Sequence, residues 1–261
     1  MFQTSVIASG SKGNCFLVRT ADTQILIDIG ITFRAYGTAM EQLGLDPYKI
    51  DAVFISHEHS DHVGGVGVLN RKTAAPIYIT QPTLIYSEKK MGNLRTEPNI
   101  FESGIKIMIK DLVILPFPSS HDAVDGCNFI IHTADDPKRK LAVVTDTGYA
   151  TKLLKNHLSQ VSTMILESNH DLQMLKTGPY EWYLKQRIQS RNGHLSNLQA
   201  AELVKEIHNE GHKRIILVHL SEINNTPELA YKEMKKTLDS LNTKIDLQVS
   251  GQFENTPLFD I

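Results

Sequence analysis

Cysteine is scarce in this 261-residue chain: Cys15 and Cys127 stand alone, and neither belongs to a metal-binding Cys pair. That scarcity excludes a disulfide-built scaffold and a thiolate zinc ribbon, and it points to a reducing, cytoplasmic setting. An excess of positive charge is also missing. Lys and Arg total 27 against 29 Asp and Glu, a formal net charge of -2, which excludes a strongly cationic nucleic-acid coat. A local basic groove stays open. No window has the length and apolarity needed to cross a membrane, and the start, Met1 to Ser5, has no basic segment leading into an apolar one. A soluble protein with no membrane partner is expected. Nothing reads as a linker or low-complexity tract, so residues 1–261 are expected to form a single domain.

What is present is a rhythm of short apolar strands and amphipathic helices. Strands are predicted at 4–8, 16–19, 24–28, 53–55, 77–80, 105–109, 112–115 and 129–131, with a tight turn at Ala21-Asp22-Thr23 making a hairpin of the second and third. Helical patterns fall at 32–43, stopped by Gly44, and at 62–69 and 82–91. In the second half, strands at 141–145, 164–167, 215–218 and 245–249 alternate with helices at 151–156, 180–189, 197–210 and 227–240. Asn197 is expected to cap its helix, with Leu198, Leu203, Val204 and Ile207 on the packed stripe, and Pro227 suits a first turn. Both halves put a polar residue just past a strand. The expectation is an α/β fold (α+β in some schemes) with two sheets face to face, helices outside and a site along the shared edge.

The densest chemistry is His57-Glu58-His59-Ser60-Asp61-His62, three imidazoles and two carboxylates in six residues directly after Val53-Phe54-Ile55. Imidazole nitrogen with carboxylate oxygen suits zinc, manganese or iron, whereas calcium prefers oxygen alone. His57 and His59 alternate, so an extended loop can aim both at one ion while Asp61 and His62 turn towards another. A histidine-rich helix start is the bland alternative. Further on, His121, Asp146 and His219 each lie just beyond an apolar strand or in the loop after it. Taken singly, each is no more than a packing or surface residue; with the cluster, they are where a shared rim would gather ligands.

These residues resemble the metallo-β-lactamase superfamily: His57-x-His59-x-Asp61-His62 matches its defining motif, His121 its isolated histidine, Asp146 its bridging aspartate and His219 its terminal histidine. The resemblance implies a four-layer αββα sandwich with a dimetal site at one edge. By the same resemblance His57, His59 and His121 would bind one ion, Asp61, His62 and His219 the second, and Asp146 both. The ions would be zinc or manganese, with iron possible. That superfamily spans many reactions, so fold alone does not choose one.

Three features favour phosphodiester chemistry. The ligand set is complete and rich in carboxylate, which suits two ions acting on a phosphate. Glu167 in Leu166-Glu167-Ser168-Asn169-His170-Asp171 and His194 in Gly193-His194-Leu195-Ser196-Asn197 look like the Glu and His of transfer-RNA 3′-processing nucleases. There a carboxylate orients an imidazole that serves the leaving oxygen, and such a histidine is a competent proton donor near neutral pH. Alternatively Glu167 merely ends a strand and His194 caps a helix. Third, the loop Ser9-Gly10-Ser11-Lys12-Gly13-Asn14-Cys15 offers Ser11 and Asn14 as possible phosphate-binding groups, or acts as a brace for the metal loop.

Together these segments look most like the WalJ group, also called YycJ, compact bacterial proteins associated with double-stranded DNA exonuclease activity. The chain has no long insertion forming a β-CASP domain and no Gly-Pro-rich arm, which argues against long RNA or transfer RNA as substrate. The resemblance thus implies a dimetal phosphodiesterase, a 5′-to-3′ exonuclease on double-stranded DNA, using a metal-bridging hydroxide with Asp61, His194 and Glu167 as catalytic residues. Rival readings are a small-molecule cyclic phosphodiesterase or thioesterase with a pocket roofed by residues 88–103, and a metal-stabilised binding protein. Candidate groove cations are Lys12, Arg34, Arg71, Lys72, Lys89, Lys90, Arg95, Lys185, Arg187 and Arg191, and Tyr36, Tyr149 and Trp182 are candidate base-stacking rings. His170, close behind Glu167, is a further residue to watch at the cleft.

Overall fold

A computed structural model describes residues 1–252 and 254–261. The first half forms strands β1 (Phe2–Ala8), β2 (Cys15–Thr20), β3 (Gln24–Ile27), β4 (Ala52–Phe54), β5 (Ile77–Ile79) and β6 (Asn99–Ile100). Helices α1 (Phe33–Gln42), α2 (Ser60–Val63), α3 (Val66–Thr73) and α4 (Gln81–Met91) run between them. The second half contributes β7 (Ile107–Ile109), β8 (Leu112–Pro118), β9 (Cys127–Thr133), β10 (Lys140–Val144), β11 (Thr163–Glu167), β12 (Arg214–Val218), β13 (Asp246–Val249) and β14 (Phe259–Asp260). Its helices are α5 (Lys152–Leu158), α6 (Leu172–Thr177), α7 (Trp182–Gln189), α8 (Asn197–Ile207) and α9 (Pro227–Ser240).

The strands make two seven-stranded sheets, ordered β14-β1-β2-β3-β4-β5-β6 and β13-β12-β11-β10-β9-β8-β7. Each is antiparallel over hairpin-linked strands and parallel where helices cross over, as at β3-β4-β5 and β10-β11-β12. Period-two alternation fixes which face each strand buries. Phe16, Val18, Ile25, Ile27 and Phe54 of the first sheet meet Phe129, Ile131, Val143, Ile165 and Ile216 of the second in one core. On the outer face of the first sheet, Leu17, Leu26 and Val53 pack under Tyr36, Met40, Val66 and Leu69. On that of the second, Val144, Leu166 and Leu217 pack under Leu158, Leu203, Val204, Met234 and Leu238. The result is the four-layer αββα sandwich expected above.

Several local expectations shift. The helix expected at 62–69 is broken by Gly64-Gly65 into α2 and α3, because the chain must pass Ile31 closely: a Cβ on Gly65 would lie 2.1 Å from its carbonyl oxygen. The cap of α8 is Ser196 rather than Asn197, closed reciprocally by Gln199, and Leu198 is exposed, its place on the packed stripe taken by Ala200 and Ala201. Tyr36 is fully buried with its hydroxyl on the Pro47 carbonyl, so it cannot stack on a base. Arg71 is likewise committed, donating to the carbonyls of Met91 and Asn93.

Candidate metal centre

Every group singled out for metal chemistry lies at the carboxyl end of a strand, where open sheets leave a crevice. His57, His59, Asp61 and His62 follow β4; His121 follows β8; Asp146, Glu167 and His219 follow or end β10, β11 and β12. The chain turns sharply at these ends. Asp28, Asp146 and His219 take left-handed backbone (φ 60°, 51° and 57°), a costly conformation for non-glycine residues that clusters at functional sites. Gly30 is forced by the same crowding, since a Cβ there would sit 1.7 Å from the Asp61 carbonyl oxygen.

Four donor groups converge: His57 with His59 and His121; His57 with His62 and Asp146; Asp61 with His62 and His219; and Asp146 with Glu167, His194 and His219. Within each, one donor atom per residue lies within 4.8 Å of the others. The outer nitrogens are already held. His57 Nδ1 donates to Ser56 Oγ (2.9 Å), His62 Nδ1 to Asp28 Oδ2 (2.7 Å), His219 Nδ1 to Glu167 Oε1 (2.8 Å) and His121 Nδ1 to the Gly193 carbonyl (3.1 Å). That fixes each ring with its Nε2 lone pair facing inward, the arrangement that metal-bound imidazoles require.

Three of the inward atoms lack other work, whereas His62 Nε2 has the Asn14 carboxamide nitrogen at 3.0 Å. His57 Nε2, His219 Nε2 and Asp146 Oδ2 are buried without a hydrogen-bond partner, which is costly unless something binds them. His62 Nε2 lies 3.0 Å from Asp146 Oδ2, yet the pair lacks hydrogen-bond alignment, and His121 Nε2 approaches His59 Nδ1 at 3.3 Å. Lone pairs crowded this way fit divalent cations between them, and the mixed nitrogen and carboxylate set suits zinc, manganese or iron.

Charge at the centre is finely opposed. Burial, with His62 beside it, holds His57 well below its ordinary pKa, as neutral ligand nitrogen demands. Burial pulls His219 down too, but Asp146, Asp61 and Glu167 outweigh it and lift the ring to about 10. His62 is raised well above its usual value by Asp146, Asp28 and Asp61 against its own burial. Burial would raise Asp146, yet His219, His62 and His121 hold it well down. The buried carboxylate of Asp146 thus stays ionised, as cation binding requires.

Sequence reading paired Glu167 with His194, and the two meet at 2.7 Å, His194 Nδ1 to Glu167 Oε1. It missed that the same oxygen also accepts from His219, while Oε2 takes the backbone N–H groups of Thr147 (2.9 Å) and Leu195 (3.1 Å). Burial raises Glu167, but the two imidazoles bring it to about 2, so it stays a carboxylate. It also missed Asp28, wholly buried, which accepts from Ser56 N, Ser56 Oγ and His62 Nδ1. The only hint was an aspartate directly after the apolar run Ile25-Leu26-Ile27.

The opening loop divides its tasks. Ser11 lines a cavity of ≈ 250 Å³ together with His194, Asp122, Arg187 and Ser221. Asn14 is fully buried and its carboxamide is spent on Gly10, Asp61 and His62, so it braces the metal loop and has no atom for a phosphate. Ser9 Oγ accepts from the His219 N–H at 2.7 Å, pinning that residue's left-handed backbone. Glu88 to Pro98 contribute to a separate cavity of ≈ 720 Å³ whose walls include none of the convergent donors, while Lys90 Nζ reaches from the same segment to the Glu58 carbonyl at 2.6 Å.

Fold and donor set together define the class: the chain belongs to the beta-lactamase superfamily, whose domain it matches over residues 23–220. More narrowly, it is 36% identical, over 100% of its length and 98% of the other, to Exodeoxyribonuclease WalJ of Streptococcus pneumoniae serotype 2. It is also 36% identical to Exodeoxyribonuclease YycJ of Bacillus anthracis, over 90% of this chain and 88% of that protein. Among solved structures, the metallo-beta-lactamase fold protein YhfI of Bacillus subtilis superposes with a TM-score of 0.75 at 18% identity, covering 98% of this chain and 99% of that one, a likeness of fold.

Proposed function

We propose that this protein is a dimetal-dependent phosphodiesterase acting as an exodeoxyribonuclease, with double-stranded DNA degraded from the 5′ end as the finer reading. The observation that carries the chemistry is the Glu167–His194 pair beside a cluster of orphaned, inward-facing donors. The relatives named exodeoxyribonuclease supply the substrate class. His57, His59 and His121 would hold one ion, Asp61, His62 and His219 the other, and Asp146 would serve both. Two such ions, zinc or manganese with iron also compatible, supply Lewis acidity towards a phosphodiester oxygen and lower the pKa of water.

The protein's own part is positioning and proton transfer. Asp61, with a fifth of its side chain exposed, stands at the mouth of the cluster as the carboxylate best placed to orient the attacking water. Glu167 fixes His194 through Nδ1, so that Nε2 can pass a proton to the leaving oxygen. His194, also a fifth exposed, faces the cavity that Ser11 and Arg187 line. The core between the sheets draws on both halves of the chain, which supports treating residues 1–261 as one domain. No helix among the described residues is long and apolar enough to cross a membrane, and both cysteines are buried and free, which supports a cytoplasmic setting.

The test uses protein loaded with zinc or manganese on end-labelled single- and double-stranded DNA and RNA, with bis-p-nitrophenyl phosphate alongside. Stepwise shortening of duplex DNA from the 5′ end, lost in His194→Ala with metal content intact, is the expected result. Hydrolysis of the small diester with every polymer left whole would replace the nuclease reading by a small-molecule one. Tight metal uptake without any turnover would leave a binding protein.

A further inference from the structure

The turn between α7 and α8 presents a cation that the chemistry above does not use. Arg191 is exposed at its tip, with the guanidinium carbon 4.0 Å from the centre of the Tyr149 ring. Among the described residues no acidic side chain pairs with it. The neighbouring acids Asp122 and Glu206 are taken by Arg187 and Lys155. Nor does its guanidinium donate a hydrogen bond to any described residue. Contact with a ring face orders a long side chain without using its N–H fork, so those donors stay available.

The surrounding backbone ties this cation to the loops that carry the metal donors. On either side of His121, Ser120 Oγ donates to the Arg191 carbonyl at 3.0 Å and the Asp122 N–H donates to the Asn192 carbonyl at 2.9 Å. The Gly148 N–H, between Asp146 and Tyr149, donates to the Ser120 carbonyl at 2.8 Å. Gly148 has no room for a side chain, because a Cβ would lie 2.5 Å from the Gly193 nitrogen and 2.7 Å from the Arg191 carbonyl oxygen. The tip closes on itself through the Gly193 N–H to the Ser190 carbonyl at 3.0 Å, directly before His194. Chain reach therefore holds the Cα atoms of Arg191 and His194, and those of Tyr149 and Asp146, within about 11 Å of each other. That span is about three rises of 3.4 Å along a nucleic-acid strand.

We propose that Arg191, seated on Tyr149, grips a backbone phosphate of the DNA a few nucleotides from the bond presented to His194. This rests on the nuclease reading. A planar guanidinium matches two phosphate oxygens at once, and a cation already held in place by a ring and a fixed turn loses little freedom on binding. Contacts to phosphate position a strand without reading its sequence, as an enzyme that shortens DNA of any sequence requires. Tyr149 then serves as the seat of the cation, and the ring face that Arg191 covers is closed to a base. In a chain of net charge -2, such a grip supplies locally the attraction that overall charge does not.

The test measures binding of end-labelled duplex DNA to the metal-loaded full chain carrying His194→Ala to stop turnover, over about 50 to 200 mM salt. Adding Arg191→Gln should weaken the dissociation constant on the order of tenfold at the low end. It should also make the slope of log affinity against log salt shallower by about 0.9, the share of one phosphate. Arg191→Lys keeps the charge and should keep the slope. Tyr149→Leu should keep the slope too and weaken binding about 2- to 5-fold, the worth of the ring contact. With His194 restored, Arg191→Gln should raise KM for the duplex and leave bis-p-nitrophenyl phosphate hydrolysis within about twofold, since a small diester does not reach the turn. Unchanged slope and affinity in Arg191→Gln, with wild-type protein degrading the duplex, overturns the grip and leaves the nuclease reading standing. Equal losses on the small diester and on DNA make Arg191 a brace of the 190–194 turn and overturn the proposal. Wild-type protein that hydrolyses the small diester but neither binds nor degrades any polymer overturns the nuclease reading, and the grip falls with it.

Discussion

Replacing Glu167 by Gln changes one atom and strikes two imidazoles. In the wild type, Oε1 accepts from His194 Nδ1 and His219 Nδ1, while Oε2 accepts from two backbone N–H groups. A carboxamide has one acceptor oxygen, so whichever way it turns, its NH2 faces either two imidazole donors or two amide donors. Each lost charge-assisted hydrogen bond is worth about 1.5–3 kcal/mol. Through His219, the expected loss in metal affinity is about 10- to 100-fold, the usual effect of removing a ligand's outer partner. Through His194, turnover at saturating metal should fall about 10²- to 10⁴-fold, the range of a displaced general acid, or roughly 3–5 kcal/mol at 1.36 kcal/mol per tenfold. The assay is a chelator competition for metal affinity, with bis-p-nitrophenyl phosphate turnover at saturating metal beside it. His194→Ala should reproduce the turnover loss and leave metal affinity within a few-fold. Turnover in Glu167→Gln within twofold of wild type once metal is restored would refute the proposed role of the pair.

Three further outcomes follow from the same geometry. Asp28→Asn removes the acceptor of His62 Nδ1 and Ser56 Oγ, so metal affinity should fall about 10- to 100-fold by the same competition assay; unchanged affinity would make Asp28 a folding residue only. Gly30→Ala drives a methyl group into the Asp61 carbonyl, and overpacking of this kind should cost about 3 kcal/mol, a melting temperature roughly 6–12 °C lower; an unshifted melting curve would mean that the loop yields freely. His170 is buried with both ring nitrogens unpartnered, and burial lowers its pKa to about 4 from 6.5. The unfolded chain therefore binds the extra proton first, and stability is lost as pH falls from about 6.5 towards 4, by on the order of 2–3 kcal/mol. In urea titrations of metal-free protein, His170→Gln should flatten that slope, and identical slopes would count against it.

The sandwich was legible because its strands are short continuous apolar runs, as strands buried on both faces require: Phe16, Val18, Ile25 and Ile27 pack between the sheets, and Leu17 and Leu26 pack under the helices. The metal loop was legible because its donors are adjacent in sequence. What escaped were features with little local signal. Helix α6 is six residues long, capped by Asp171 and buries chiefly Leu175, too brief for a 3.6-residue period to declare itself. Strands β6 and β14 have two residues each and exist through pairing with β5 and β1. Asp28 and the second partner of Glu167 are tertiary facts, since only folding brings residues 28 and 62, or 167 and 219, within hydrogen-bond reach. Ser196 took the cap from Asn197 because Asn197 is needed elsewhere, tying Ser168 to Asn225.

The convergent donors come from both sheets, His57 to His62 from the rim of the first and His121, Asp146 and His219 from the rim of the second. Cations held there would act as rivets between the two rims. Stripping them should let the two rims breathe while the far hairpin of β2 and β3 keeps its amide protection. Catalytic readiness and the rigidity of that edge would then be one property of the molecule, gained and lost together with the ions.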